Sequence, residues 1–183
     1  KIKMSINSIF RIYSMTKPIV SVGAMMLNEK GKIYLDDKLE KYIPEFTNMH
    51  ISKEVFENNV SQEAVIEASR KIKIHDLFRH TSGFTYGTFG DSYAKRRLRS
   101  SVLGKRPLPA NMTSNDFVKE LSKYPLAYNP GESWEYGTST DVLGRVIEIV
   151  SKVSLETYLN ENVFSALNMR DTGFFVKRKS LSK

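Results

Sequence analysis

One serine in the sequence has neighbours that equip it for nucleophilic chemistry: Ser14-Met15-Thr16-Lys17. A serine hydroxyl is a weak nucleophile until a neighbour takes its proton. A lysine three residues further on shares its helix face. That lysine can act as the acceptor only if its ammonium is destabilised, and both burial and the positive end of a helix push in that direction. The same helix start would bring the Ser14 backbone N–H close to a developing oxyanion. The spacing alone decides nothing, because it recurs at Ser92–Lys95 and Ser180–Lys183. A serine in front of a helix is also ordinarily just an N-cap. Context separates the three copies: only Ser14 opens a long apolar segment, whereas the other two sit in basic, solvated sequence.

Other chemistries are narrower. With no cysteine in the chain, disulfides, thiolate metal sites and a cysteine nucleophile are excluded. His75 and His80 are five apart and do not share a helix face, no paired acids accompany them, and a metal site is not expected. His80 reads as a residue closing a helix end. Asp36 and Asp37 are adjacent and do not face each other, which suits a turn or cap better than a carboxylate pair. The net charge of +8 attracts anionic partners. Its densest cluster is Lys95, Arg96, Arg97 and Arg99, with Lys105 and Arg106 beyond, and Phe89 and Tyr93 are aromatic neighbours that could stack on bases. No nucleic-acid motif accompanies the charge, so the cluster reads as a solvated surface and no nucleic-acid partner is expected.

The elements that must position Ser14 can be read from periodicity. Ser14 to Lys30 carries apolar residues at Ile19, Val20, Val22, Ala24, Met25, Met26 and Leu27, too dense and long for one strand, and predicts a mostly buried helix. Pro18 fits only near its start, and Gly31 is a suitable left-handed stop. Lys32 to Phe46 reads as an extended piece with a short turn, and Thr47 to Gln62 as a polar surface excursion. A short helix is predicted over Lys73 to His80, a glycine-rich loop over Phe84 to Asp91, and a short helix and then loop over Ser92 to Asn111. Helices are predicted over Ser114 to Lys123, capped by Ser114 or Asn115, over Thr138 to Val153, and over Leu155 to Leu167. Tyr128-Asn129-Pro130-Gly131 is a turn signal, and Phe174 to Val176 could begin a strand. At 183 residues there is enough chain for one domain with a real core. No apolar run is long enough for a transmembrane helix.

Several segments, taken together, carry a resemblance. Phe10-Arg-Ile-Tyr-Ser-Met-Thr-Lys-Pro18 resembles the nucleophile segment of the serine β-lactamase-related hydrolases, which include class C β-lactamases, penicillin-binding peptidases and β-lactamase-like esterases. Lys32 to Phe46 resembles the segment after the nucleophile helix, and Ile74-His-Asp-Leu-Phe-Arg-His-Thr-Ser-Gly83 resembles the family's histidine–threonine–serine–glycine stretch. Tyr128-Asn-Pro-Gly-Glu-Ser-Trp-Glu-Tyr136 resembles the approach to its tyrosine. Asp141 to Ser151 and Leu167 to Phe174 resemble the helix and turn beyond it. Each piece is weak, but their order along the chain is specific, and the wording is closest to the esterase-like branch.

The resemblance implies an α+β, β-lactamase/transpeptidase-like fold, with residues 1–183 a partial catalytic domain, mainly helical and lacking most of the sheet. It implies Ser14 as the acyl-accepting nucleophile, Lys17 sharing the proton work and Tyr136 as the tyrosine of the second motif. A phenol beside an ammonium has its anion stabilised and can serve as a base. Without the resemblance, Tyr136 beside Trp134 would read as an amphipathic core tyrosine. Where many lactamases carry an asparagine, this chain has Thr138, shorter but still able to hydrogen-bond a substrate, which weakens β-lactam turnover more than ester hydrolysis. The family's third motif, on later strands that also carry the second oxyanion N–H, has no counterpart here, so the chain reads as a fragment. The implied activity is hydrolysis of a small-molecule carboxylic ester, without cofactor or metal. A β-lactamase or D-Ala-D-Ala-type peptidase, or a non-catalytic ligand-binding or interaction module, are the alternatives. Lys1 to Ser8 lacks the apolar core of a cleavable signal, and a cytoplasmic or periplasmic site in a bacterium stays open.

Overall fold

The computed structural model describes residues 3–57, 60–105 and 107–176. Six α-helices and one hairpin are described: α1 (Thr16–Glu29), β1 (His50–Glu57), β2 (Val60–Glu67), α2 (Ile74–Arg79), α3 (Tyr93–Ser100), α4 (Ser114–Leu121), α5 (Ser139–Ser151) and α6 (Leu155–Leu159). A π-type turn, Asn160–Phe164, continues α6. The architecture is mainly helical, with a two-stranded antiparallel sheet.

The core is built around α5. Val142, Leu143, Val146 and Ile147 recur at helical spacing and all lose their solvent exposure. Burying one such side chain contributes about 1.5–3 kcal/mol. Against this face lie α1, through Val20, Ala24 and Leu27, and α6, through Tyr158 and Leu159. Gly23 permits the close approach of α1 and α6, because a Cβ there would stand 2.8 Å from Leu159 Cδ2. The Tyr158 hydroxyl donates to the Gly23 carbonyl at 3.1 Å. Pro18 lies in the first turn of α1, where its missing N–H costs nothing, and Gly31 ends the helix region at φ +64°. The opposite face of α1 is open: Val22 and Met25 are 52% and 38% exposed.

Four segments differ from the sequence expectation. Lys32 to Phe46 is not extended but coils through two short 3₁₀ turns, Leu39–Lys41 and Pro44–Phe46. The cause is Asp37, whose carboxylate accepts from the Tyr34 N–H, Lys41 Nζ and the Tyr42 hydroxyl and so closes a local turn. The polar excursion is the β1–β2 hairpin, in the register His50↔Glu67 to Glu57↔Val60. Its strands alternate weakly because both carry charged residues, and they dock by a distant contact: Ser52 N–H donates to the Leu126 carbonyl and Leu126 N–H to the His50 carbonyl. The cap of α4 is Thr113, one residue earlier than expected, in a reciprocal capping box with Asp116. Phe174 to Val176 forms no strand.

Candidate functional site

Ser14 sits in a 3₁₀ turn, Tyr13–Met15, that leads directly into α1. Tyr13 adopts φ +44°, a conformation that non-glycine residues seldom hold, immediately before the serine. The turn leaves Ser14 exposed at the positive end of the helix. Lys17, one turn on, points back along the same face and its Nζ stands 3.4 Å from Ser14 Oγ.

Tyr136 arrives from the loop before α5. That loop is held by a ladder of backbone bonds running from the hairpin inward: Ala127 N–H to the Gly83 carbonyl, Gly131 N–H to Thr81, and Glu135 N–H to His80. The opposing stretch 80–85 is itself fixed at one end by α2. Asp76 in α2 is fully buried and accepts from both Nη atoms of Arg70, from the Lys73 N–H and from Thr81 Oγ1. His80 closes α2 in a left-handed conformation, and its ring packs 5.0 Å from that of Tyr136. Against this backing, the Tyr136 hydroxyl donates to Ser14 Oγ at 2.7 Å.

The protonation states follow from this arrangement. Burial pulls the Lys17 ammonium down, but its contacts with Tyr136 and Tyr86 outweigh that and leave it above its ordinary value. Lys17 therefore keeps its proton, contrary to the destabilised ammonium that a lysine base would need. Tyr136 is held below an ordinary phenol by its hydrogen bond to Ser14 and by Lys17. Of the two groups beside Ser14, the phenol is the one poised to lose a proton.

Tyr86 is a member of the site that the sequence does not single out. It lies in the glycine-rich loop, accepts from Lys17 Nζ at 3.3 Å, and packs edge-on to Tyr136 at 5.8 Å. Burial holds its hydroxyl above the ordinary phenol value, so it stays protonated. Its loop has no periodicity, and only the long-range fold brings it to Lys17. Thr138 is buried immediately before α5 and its hydroxyl has no hydrogen-bond partner among the described residues; Thr140 and Asp141 line the cleft beside Ser14. That cleft, of about 360 Å3, is completed by Tyr13, Val20, Tyr86, Leu155 and Phe174 around Ser14 and Lys17.

The remaining candidates resolve into structure. Ser92 stands at the N-cap position of α3 without a capping bond from its side chain, Lys95 is paired with Glu135 instead of with Ser92, and the third serine–lysine copy lies outside the described residues. Asp36 pairs with Lys73 at 2.8 Å, and His75 lies 3.4 Å from Asp76. The basic cluster is not simply a solvated face: Arg96 and Arg99 both reach Asp91, and Arg99 also donates to the Gly87 and Gly90 carbonyls. Arg106 is outside the described residues. Among the described residues, no three His, Asp or Glu side chains converge as a metal site requires, and no helix is long and apolar enough to cross a membrane.

Comparison with known proteins agrees with this architecture. The family model described as beta-lactamase matches residues 1–180. The esterase EstB of Burkholderia gladioli is 28% identical over 174 residues, covering 92% of this chain and 39% of EstB. A lovastatin esterase of Penicillium rubens is 29% identical, covering 96% of this chain and 42% of its own length. Among solved structures, EstCE1, described as a hydrolase with promiscuous acyltransferase activity, superposes with a TM-score of 0.70 at 28% identity, over 91% of this chain and 39% of that one. The fold is that of the β-lactamases and transpeptidases. The chain spans about two-fifths of the length of the curated relatives it matches.

Proposed function

The chain belongs to the beta-lactamase family, and from that premise we propose that it is the nucleophile-bearing part of a serine hydrolase that cleaves small carboxylic esters through an acyl-enzyme on Ser14. The observation that carries this reading is the 2.7 Å contact between Tyr136 Oη and Ser14 Oγ, with the Lys17 ammonium within 3.4 Å of the same oxygen.

In the proposed reaction, Tyr136 acts as the phenolate. Ser14 Oγ attacks the ester carbonyl carbon as its proton passes along the 2.7 Å line to Tyr136 Oη. The Ser14 N–H, at the start of the helix, is one donor to the tetrahedral oxyanion. Collapse of the tetrahedral adduct breaks the bond to the leaving alkoxide, which takes the proton from Tyr136. A water then gives a proton to the regenerated phenolate as its oxygen adds to the acyl carbonyl; collapse of that adduct breaks the bond to Ser14 Oγ, which takes the proton back from Tyr136, and the carboxylic acid leaves. Lys17 remains an ammonium throughout, holding the phenolate charge and orienting Ser14. Tyr86 fixes Lys17 by accepting one of its protons.

Ester hydrolysis is favoured over β-lactam turnover because Thr138 stands where an asparagine is usual in lactamases, and its short, buried hydroxyl is a poorer partner for a substrate amide. Two of the chain's curated relatives are named esterases, and others of similar identity are named acyltransferases, which also work on acyl esters. The test is turnover of a short-chain p-nitrophenyl ester. Ser14→Ala should reduce it to the uncatalysed background with the circular dichroism melt unchanged, since Ser14 is exposed and caps nothing by its side chain. Turnover surviving this change would remove the nucleophile assignment.

A further inference from the structure

The basic helix α3 has no part in the proposed reaction, yet two of its cations reach the loops that carry both phenols. Ala94 and Leu98 bury one side of α3 in the core. On another side, Lys95 and Arg99 lie one turn apart and share a face. Arg99 donates to the Gly87 and Gly90 carbonyls at 2.6 and 2.7 Å and so grips the loop that bears Tyr86. Gly87 must be glycine for that grip, because a Cβ would stand 2.7 Å from the Arg99 backbone nitrogen.

Lys95 reaches the other loop. Its Nζ stands 3.0 Å from Glu135 Oε1, with the two side chains only 14% and 11% exposed. The same carboxylate oxygen accepts from Thr85 Oγ1 at 2.6 Å. Glu135 immediately precedes Tyr136, and their side chains diverge, one inward to Lys95 and Thr85, the other outward to Ser14. On the far side of Tyr136, Gly137 lies against the Phe84 carbonyl and Thr85 Cα so tightly that a side chain would collide with both. The backbone that carries Tyr136 is thus seated on residues 84–85, with the Glu135 side chain as its inward anchor.

We propose that Lys95, Glu135 and Thr85 form a buried clamp that sets the position of Tyr136 over Ser14, making them positioning residues for the proton transfer. This rests on the reading of Tyr136 as the base. A buried ion pair gives little net stability over an apolar pair of similar size, because desolvation offsets the attraction. What this one supplies is a fixed depth for the loop: the carboxylate must meet both a cation on α3 and a hydroxyl on the 84–85 segment. Proton transfer over 2.7 Å is sensitive to such placement, since a displacement of about 1 Å can cost about a hundredfold in rate.

The test measures the rate at which a fluorophosphonate labels Ser14, by intact mass, across pH. The double variant Lys95→Met/Glu135→Leu removes both charges together and leaves neither stranded. It should melt near the wild-type temperature, label about tenfold more slowly, and have its pH–rate inflection moved up toward that of a free phenol. Lys95→Arg should restore the wild-type rate and inflection. Thr85→Val, which removes only one hydroxyl, should slow labelling about threefold, and it decides the matter should the double variant fail to fold. Wild-type rate and inflection in a folded double variant, or in Thr85→Val, would overturn the clamp. Tyr136→Phe runs alongside: slow labelling there with fast labelling in the clamp variants rejects the clamp alone, whereas fast labelling in Tyr136→Phe rejects both the base and the clamp.

Discussion

Two polar clusters lie on either side of the stretch 80–85, and they are built on opposite principles. Around Asp76, the bonds that hold the carboxylate are short, with only His75 further off at 3.4 Å. The carboxylate is fully buried, Arg70 grips it with a fork at 2.7 and 2.9 Å, and a backbone N–H and a threonine hydroxyl complete its shell. Around Ser14, the groups are exposed or half-buried, Lys17 spans 3.3–3.4 Å to its oxygen partners, and Tyr13 holds a strained conformation. A satisfied buried network defines one structure, because undoing any part strands a charge. A loosely satisfied one leaves protons free to move. The first cluster holds the ladder along which the second is aligned, so the reactive group can be mobile in its protons while its backbone is not.

The largest effect expected on the reactive side is Tyr136→Phe, which should lower ester turnover by about 10²–10⁴-fold, the usual worth of a positioned base. A rate within threefold of wild type would mean that another group accepts the Ser14 proton. On the structural side, Arg70→Met should cost about 3–5 kcal/mol in urea unfolding, because it leaves the Asp76 carboxylate buried without its cation. A cost below about 1 kcal/mol would mean that the two clusters do not differ as described.

The two clusters should also part company in pH. Burial pushes the Asp76 carboxyl up, but Arg70, the Lys73 N–H and Thr81 outweigh it and hold it below its ordinary 3.8. Its folded value lies below its unfolded one, so its stabilisation is present at neutral pH and lost only as pH falls below about 4 through that lower value. The reaction should respond at the other end of the scale. The phenolate is the active form, so the acylation rate should rise with pH to an inflection below 10, where Tyr136 titrates. Lys17→Met should move that inflection upward, as the ammonium that holds the phenolate down is lost; an unmoved inflection would separate Lys17 from the base. The smallest effect is that of Thr113→Ala, which removes the α4 cap and should cost about 1 kcal/mol without changing turnover at saturating ester.

How far the sequence reaches is decided by the range of each interaction. α1 and α5 are legible because their apolar periodicity is local and strong, and Gly31 marks a stop that any neighbour context would respect. Ser14 and Lys17 are brought together by three residues of helix-like backbone, which spacing alone can foresee. Tyr136 can be paired with them only through the family resemblance, since its contact with Ser14 crosses 122 positions. Tyr86 stays hidden for the same reason, 69 positions from Lys17 and in a loop without pattern. Lys95 reads as solvated in sequence because its partner Glu135 lies in another loop altogether. The hairpin escapes the pattern because charged residues on both strands blur the alternation that identifies a half-buried sheet.

Whether Ser14 is an activated nucleophile is read by intact mass after exposure to a fluorophosphonate at neutral pH, with peptide mapping of the adduct. A single adduct on Ser14 is expected, absent in Ser14→Ala and slowed at least about a hundredfold in Tyr136→Phe. An adduct on another residue, or equal labelling of wild type and Tyr136→Phe, would contradict it.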